Sequence, residues 1–269
     1  MPELPEVETV RRILERNLIN EEINNIDVYY DKVLKEDFKT NLNILKNQKI
    51  EKFERYGKYL VIILTTNVII IHLRMEGKFY IDEKAPVSKH EHVVFKFKSG
   101  KELRYHDVRK FGTFHLRTKE NYLNTYPLNE MGMEPQAIEI NDFYEKIVKM
   151  NRPIKAILLD QKLISGLGNI YVDETLFRAK VNPKRLGKDI TLSEAKLIIK
   201  SAIKVLDEAI IQGGTTIKSY TSSLGVTGLF QQYLLVHTKK GEPCPVCGTI
   251  IVKDKVAGRG TYFCEKCQI

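Results

Sequence analysis

The chain has 269 residues, enough for about two domains, and a formal net charge of +9. The charge is uneven, because residues 151–269 hold 18 Lys and Arg against 10 Asp and Glu, whereas residues 1–150 hold 25 against 24. A basic half beside a neutral half favours a polyanionic partner. The richest apolar run, residues 59–73, is broken by polar residues, so we expect two strands there, no membrane span and no signal peptide.

The first half of the chain predicts one helix followed by many short strands. Apolar residues recur at helical spacing through residues 5–18, which should form one amphipathic helix. From about residue 23 to 117 the period becomes that of strands, with apolar runs at 23–30, 58–65, 67–74, 92–97 and 103–105. Many short strands with few helical stretches predict an antiparallel β-sandwich.

The second half of the chain predicts helices followed by a small module. Helical periodicity returns at 141–149, 153–160, 169–179 and 191–211. Gly213-Gly214 ends the last of these helices, and a polar loop rich in Gly, Ser and Thr follows to Gly228. We therefore expect an α+β multidomain chain with domains at 1–130, 131–228 and 235–269.

All four cysteines lie in the last 26 residues, in two Cys-x-x-Cys pairs separated by 16 residues. The pairs are Cys244 with Cys247 and Cys264 with Cys267. This spacing predicts one Zn²⁺ held by four thiolates, and it favours a reducing compartment over disulfides. Four protein ligands leave no open coordination position, so the zinc should be structural. Between the pairs, Arg259 lies between two glycines on a predicted hairpin, either free to project towards a ligand or simply solvated.

The first six residues, Met1-Pro2-Glu3-Leu4-Pro5-Glu6, carry a possible nucleophile. If Met1 is removed, Pro2 gains a free secondary amine, and α-amino groups titrate close to neutral pH. Attack on an aldehyde-like carbon gives an iminium, which is an electron sink for breaking a neighbouring C–O bond. The carboxylates of Glu3 and Glu6 are placed for proton transfer. The alternative is that Pro2 and Pro5 merely lead into a helix, with the acids at its positive end.

The opening residues resemble the N-terminal signature of formamidopyrimidine-DNA glycosylases, which are bifunctional base-excision enzymes. The resemblance continues in family order through Gly166-Leu167-Gly168-Asn169 to the four-cysteine tail, and so covers nearly the whole chain. It implies a catalytic β-sandwich at 1–130, a helix–two-turn–helix DNA-binding domain with a lesion-capping loop at 131–228, and a zinc finger at 235–269. DNA would lie in the cleft between the domains.

The resemblance also implies roles for individual residues. Pro2 would be the nucleophile and Glu3 the main proton donor and acceptor, supported by Glu6, while Lys58 and Arg259 would assist at the leaving phosphates. The expected DNA-binding residues are Met75, His90, Arg109, Phe111, Arg152, Lys155 and Asn169. Met75, Arg109 and Phe111 would fill the hole left by an extruded base, since apolar wedges unstack a base step and an arginine can pair with the orphaned base.

Each of these residues also has an ordinary interpretation. Met75 could belong to the core, His90 and Lys58 to a solvated surface, and the glycine-rich segment before Asn169 to a simple loop-to-helix turn. One departure from the family pattern is Lys110, where an arginine often follows the wedge arginine. Lysine keeps the charge but cannot make the bidentate phosphate contact.

The activity implied by the resemblance is removal of oxidised purines, chiefly 8-oxoguanine and formamidopyrimidines, from duplex DNA. The target must be flipped out of the stack, and strand cleavage by β,δ-elimination would follow through the Pro2 Schiff base. One alternative is an endonuclease VIII-type enzyme for oxidised pyrimidines, although the wedge residues favour the formamidopyrimidine type. Another is a non-enzymatic zinc-containing DNA-binding protein. We expect a monomer in the bacterial cytoplasm whose partner is damaged double-stranded DNA.

Overall fold

The computed structural model describes residues 1–82, 86–215 and 228–269. These residues divide into two compact units. The first contains Met1–Glu130 and the described residues of Gly213–Gly228, and the second contains Met131–Gln212 and Leu229–Ile269. The helices of residues 131–212 and the four-cysteine tail belong to the same unit. The separation of residues 131–269 into two domains therefore stays a prediction. No helix in the described ranges is long and apolar enough to cross a bilayer.

The first unit is an antiparallel β-sandwich joined by one long helix, as the sequence predicts. Helix α1 spans Leu4–Leu18, and a short helix α2 spans Glu36–Lys39. The strands are β1 (Ile23–Val28), β2 (Ile50–Tyr56), β3 (Tyr59–Leu64), β4 (Asn67–His72), β5 (Lys78–Asp82), β6 (Glu91–Phe97), β7 (Glu102–His106) and β8 (Thr113–Thr118). They form two sheets, ordered β1-β6-β7-β5 and β2-β3-β4-β8. Apolar residues of both sheets and of α1 share one core, which confirms the predicted fold class.

The strand register brings two loops to the same end of this sandwich. The end of β4 pairs with the start of β8, because His72 lies opposite Thr113. In the other sheet, the start of β5 pairs with the end of β7, because Lys78 lies opposite His106. Residues 73–77 therefore run from one sheet to the other, and residues 107–112 run back at the same end.

The second unit is helical, with a two-stranded hairpin in its tail. Its helices are α3 (Ile140–Ile147), α4 (Ile154–Leu158), α5 (Asn169–Arg178) and α6 (Leu192–Ile211), and its strands are β9 (Val252–Val256) and β10 (Arg259–Phe263). Helix α6 begins at a capping box, in which Thr191 and Glu194 each accept the other's backbone N–H. Helix α5 packs on both α6 and β10, so the hairpin carrying Arg259 rests on the helices.

Candidate active site and DNA-contacting residues

The N-terminal segment is held in place by the carboxylate of Glu6. Pro2 and Glu3 are both buried at the start of α1. The Glu3 backbone N–H donates to Glu6 Oε2 at 2.8 Å. The other oxygen, Oε1, accepts from the Thr215 backbone N–H at 2.7 Å and from the Thr215 hydroxyl at 3.1 Å. Glu6 thus fixes the turn that carries Pro2 and Glu3, and it ties this turn to residues that follow α6.

The neighbouring Gly214 could not carry a side chain in this arrangement. Its φ is +79°, and an added Cβ would lie 2.6 Å from Glu6 Oε1. Glycine therefore both permits the left-handed backbone and leaves room for the carboxylate. The predicted lesion-capping loop begins here, but residues 216–227 lie outside the described residues.

A partly buried charge network connects α1 to the turn that presents Lys58. Glu8 accepts hydrogen bonds from Arg11, Arg12 and Arg55, and Arg55 also donates to the Gly57 carbonyl at 3.0 Å. Burial acts to raise the pKa of Glu8, but the hydrogen bonds from the arginines outweigh it and hold that pKa below its usual range. No role for Glu8 or Arg55 could be predicted from the sequence, because the hydrogen bond between them joins residues 47 positions apart.

Lys58 lies in a tight turn between β2 and β3, close to a buried neutral histidine. Tyr56 pairs with Tyr59 across this turn, and Gly57 takes a φ of +53°. Burial, and then the nearby charges of Arg74 and Lys58, lower the pKa of His72 to about 3. The neutral ring accepts the Arg74 backbone N–H at its Nδ1, at 2.9 Å. His72 thereby fixes Arg74, whose φ is +57°, immediately before Met75.

The 73–77 and 107–112 loops carry the three residues predicted to enter DNA. Met75 is half-buried, whereas Arg109 and Phe111 are exposed. Phe111 is 52% exposed, and the Arg109 guanidinium lies over its ring at 4.8 Å from the centroid. An exposed aromatic ring covered by a guanidinium offers an apolar wedge and a hydrogen-bond donor on one loop. The two loops lie at the same end of the sandwich, so the structure brings these three residues to one edge of the first unit.

His90 lies next to this edge. Its ring is 5.6 Å from that of His106, centroid to centroid. Among the described residues, its buried Nδ1 has no hydrogen-bond partner. A buried polar atom without a partner is uncommon in a folded protein, and the DNA-binding role of His90 stays a prediction.

The predicted DNA-contacting Lys155 is completely buried in the second unit. Its Nζ donates to Asp173 Oδ1 at 2.6 Å and to the Gly260 carbonyl at 3.1 Å. Asn169 Nδ2 donates to the same carbonyl at 3.0 Å. Lys155 and Asn169 therefore both donate hydrogen bonds to the backbone next to the exposed Arg259. Lys155 thus supports the backbone of the hairpin, and its DNA-binding role stays a prediction.

The carboxylates of α5 complete this anchor. Asp173 Oδ2 accepts the Tyr262 backbone N–H at 3.2 Å and lies 2.8 Å from His237 Nδ1. The buried Glu174 carboxylate accepts backbone N–H groups from Leu235, Val236 and His237. Burial raises the pKa of Glu174, although these three hydrogen bonds act in the opposite direction. The entry to the zinc module is thus fixed by two adjacent acids of one helix.

Arg152 and Asn169 are more accessible candidates for the DNA backbone. The Arg152 guanidinium donates to Asp160 Oδ2 at 2.7 Å and stays partly exposed. Asn169 is the first residue of α5 and is partly exposed. The helix N-terminus adds a positive dipole end, which favours phosphate.

The four cysteines form a compact metal site. Their sulfur atoms all lie within 4.8 Å of one another, with Cys244 and Cys267 sulfurs 3.8 Å apart and Cys247 and Cys264 sulfurs 3.5 Å apart. These separations are too long for disulfide bonds. They match the edge of a sulfur tetrahedron around zinc, about 3.8 Å for Zn–S bonds of about 2.3 Å. The geometry fits one structural zinc, as the sequence predicts.

Three family models match consecutive parts of the chain. Residues 1–114 match the formamidopyrimidine-DNA glycosylase N-terminal domain, residues 131–221 match its H2TH domain, and residues 241–269 match the zinc finger found in FPG and IleRS. The chain belongs to the formamidopyrimidine-DNA glycosylase family. The family resemblance and the zinc finger predicted from the sequence are confirmed.

Individual relatives agree with this assignment over the full length. The formamidopyrimidine-DNA glycosylases of Bacillus cereus and Mycoplasma mobile are 48% and 44% identical to this chain, and in both cases the alignment covers 100% of this chain and 99% of the relative. Among solved structures, Lactococcus lactis Fpg bound to DNA containing an abasic site has a TM-score of 0.94 at 42% identity, covering 99% of both chains. Wild-type L. lactis Fpg with N7-benzyl-Fapy-dG DNA has a TM-score of 0.93 at 42% identity, again covering 99% of both chains.

Proposed function

We propose that this glycosylase excises oxidised purines from duplex DNA and then cleaves the strand at the resulting abasic site. The observation that carries the proposal is full-length similarity to formamidopyrimidine-DNA glycosylases, including a structure neighbour bound to DNA with an abasic site. Pro2 and Glu3, buried at the start of α1, supply the chemical groups that such an activity requires.

The reaction begins at Pro2 once Met1 has been removed. The amine lone pair attacks C1′ of the damaged nucleotide, the glycosidic bond breaks, and its electron pair leaves with the base, which takes up a proton. Opening of the sugar gives an iminium between Pro2 and C1′. Glu3 supplies and accepts the protons of these steps. The role of Glu6 is to hold the turn, since its two oxygens already accept three hydrogen bonds.

Strand cleavage follows from the same iminium. Its positive charge acidifies C2′, so loss of the C2′ proton expels the 3′ phosphate with the electrons of the C3′–O bond. A second elimination breaks the C5′–O bond in the same way. Lys58 in the first unit and Arg259 in the second stabilise the charge that develops on the leaving phosphates. Zinc supports Arg259 by organising the hairpin and takes no chemical part.

The DNA must be distorted before this chemistry can occur. Met75, Arg109 and Phe111 enter the duplex and occupy the space of the flipped nucleotide. His90, Arg152 and Asn169 bind the DNA backbone, and Lys155 contributes by fixing the hairpin. The loop 214–228 caps the flipped lesion.

Borohydride trapping distinguishes the possible functions. Protein whose N-terminus starts at Pro2, as verified by mass spectrometry, should become covalently linked to an 8-oxoguanine:C duplex and should release the base. A thymine-glycol:A duplex should react more slowly. Faster reaction with thymine glycol would indicate an endonuclease VIII-type enzyme, and absence of trapping on both duplexes would indicate a DNA-binding protein without lyase activity.

We further propose that the protein acts as a monomer in the bacterial cytoplasm, where it meets chromosomal DNA. The relatives that support this location are bacterial. Size-exclusion chromatography with light scattering would test the monomer, and a concentration-dependent dimer mass would contradict it.

A further inference from the structure

A completely buried aspartate lies at the base of the loop that carries Arg109 and Phe111. Asp107 Oδ1 accepts the Arg109 backbone N–H at 3.0 Å. Its Oδ2 accepts the backbone N–H groups of Phe111 and Gly112, both at 2.9 Å, and the Tyr105 hydroxyl at 3.1 Å. One carboxylate therefore fixes three of the five residues that follow it, including both predicted DNA-entering residues of this loop.

The main chain of Asp107 is fixed as well. Its N–H donates to the His90 carbonyl at 2.9 Å, and its carbonyl lies 2.7 Å from His92 Nε2. Both partners flank the start of β6. The aspartate therefore cannot shift without disturbing the neighbouring strand, and the loop it holds has a rigid base.

Tyr105 extends this anchor to the second loop. Its hydroxyl packs so closely on two glycines that an added Cβ would lie 1.6 Å away at Gly112 and 2.5 Å away at Gly77. Gly77 ends the 73–77 loop, where its N–H donates to the Leu73 carbonyl at 3.0 Å and closes the turn around Met75. The Tyr105 ring thus contacts one residue in each of the two loops.

We propose that Tyr105 and Asp107 are positioning residues that set Met75, Arg109 and Phe111 in one fixed arrangement before DNA binds. This inference rests on the DNA-entering roles given to those three residues under the proposed function. Ordering a loop on binding costs conformational entropy, and a loop that is already ordered in the free protein avoids this cost. A wedge held in place can therefore extrude a base more readily than a wedge on a mobile loop.

The first test compares two substitutions with a core control. Asp107→Asn keeps the shape but places an amide donor against backbone donors. Tyr105→Phe removes one hydroxyl and keeps the ring. Leu64→Ala weakens the same sandwich core from β3, outside both loops. On an 8-oxoguanine:C duplex we expect Asp107→Asn to lose roughly 10- to 100-fold in the single-turnover excision rate, as expected for misplaced reacting groups. Tyr105→Phe should lose less in the same direction, and Leu64→Ala should match the parent enzyme at a temperature where it is folded.

A second substrate separates positioning from catalysis. Cleavage of a pre-formed abasic site needs no base extrusion, so all three variants should retain it to within about threefold. An equal loss on both substrates by Asp107→Asn would overturn the proposal, as would a matching loss in Leu64→Ala. If the parent enzyme excises no base from the duplex, the proposed function itself fails, which is a different result.

A spectroscopic signal tests the arrangement without DNA. The chain contains no tryptophan, so Phe111→Trp provides a single tryptophan in this loop, which can be excited selectively over the tyrosines. Its time-resolved anisotropy should report a restricted side chain in the parent background and a more mobile one with Asp107→Asn or Tyr105→Phe. Equal mobility in every folded background would overturn the proposal. If Asp107→Asn does not fold, Tyr105→Phe decides both tests.

Discussion

Three buried carboxylates of the first unit, those of Glu6, Glu8 and Asp107, are held by hydrogen bonds to other parts of the chain. Glu6 is engaged by the Glu3 and Thr215 backbones, and Glu8 is engaged by arginines. Asp107 is surrounded by loop N–H groups. Glu3 immediately follows the proposed nucleophile Pro2 in the chain, and its proposed role is proton transfer.

The substitution Glu3→Gln tests the proposed proton-transfer role of Glu3. Glutamine keeps the size and hydrogen bonding of the side chain but cannot carry the proton, so excision of 8-oxoguanine should fall by roughly 10²- to 10⁴-fold. The Pro2 amine remains, so cleavage of a pre-formed abasic site should fall much less. Single-turnover assays on both duplexes measure this difference, with Glu134→Gln on the second unit as a control. Excision at the parent rate would remove Glu3 from the chemistry.

The neutral state of His72 predicts a stability change with pH. Burial lowers the pKa of His72 from 6.5 to about 3 in the folded protein. Below pH 6.5 the unfolded chain takes up a proton that the folded protein does not, so the contribution of His72 to stability is constant above this pH and is lost as the pH drops towards 3. Between the two pKa values, one such histidine lowers the free energy of unfolding by about 1.4 kcal/mol for each unit of decreasing pH.

Urea unfolding at pH 7.5, 6 and 5 would measure this effect. His72→Asn keeps an acceptor for the Arg74 N–H but does not titrate, so its free energy of unfolding should fall less steeply with acid than that of the parent. His115, whose pKa burial lowers to about 4, contributes the same trend in both proteins and cancels in the comparison. Parallel pH profiles for parent and variant would mean that His72 takes up its proton equally readily in the folded protein and in the unfolded chain.

At the scale of elements, local sequence patterns predicted the helices and strands, whereas the contacts around the candidate site residues depend on residues far apart in the sequence. The helices, the hairpins and the zinc ligands follow from periodicity and spacing, so the sequence placed α1, α5 and α6 to within one or two residues. The burial of Lys155 could not be predicted in this way, because it depends on a contact with Asp173, 18 positions away. The Tyr105 and Asp107 anchor also depends on Gly77 and Gly112, which meet only when the two sheets pack. An aspartate at the start of a loop is a recognised turn former, but that signal alone does not identify which loops it joins.

The zinc module gives a prediction at this scale. Cys264→Ser removes one of four ligands, so it should lose zinc and disorder the hairpin that carries Arg259. The β-sandwich contains none of the cysteines and should keep its fold. We expect weaker DNA binding and loss of strand cleavage, measured by fluorescence anisotropy and gel assay, with Glu265→Gln as the neighbouring control. Atomic absorption that finds one zinc per Cys264→Ser chain would contradict the predicted ligand set.

At the scale of the whole molecule, the charge distribution agrees with the proposed roles of the two halves of the chain. Residues 151–269 carry an excess of eight basic residues, whereas residues 1–150 are nearly neutral. The proposed nucleophile and the DNA-entering residues belong to the nearly neutral half, and Arg152, Asn169 and Arg259 belong to the basic half. Affinity for undamaged DNA should therefore come mainly from the second unit, through contacts that carry no sequence information.

Salt dependence tests this electrostatic contribution. Each phosphate neutralised by a Lys or Arg releases counterions, so the logarithm of the affinity should fall by about 0.9 per log unit of salt for every such contact on duplex DNA. Arg152→Gln should reduce the slope for undamaged duplex by about one such contact. Phe111→Leu should leave the slope unchanged, because it removes an apolar contact and no charge. Fluorescence anisotropy from 50 to 200 mM salt, a range over which several contacts change affinity by orders of magnitude, gives both slopes. A flat titration for the parent protein, or equal slopes for the parent and Arg152→Gln, would show that the basic half does not bind DNA through its charge.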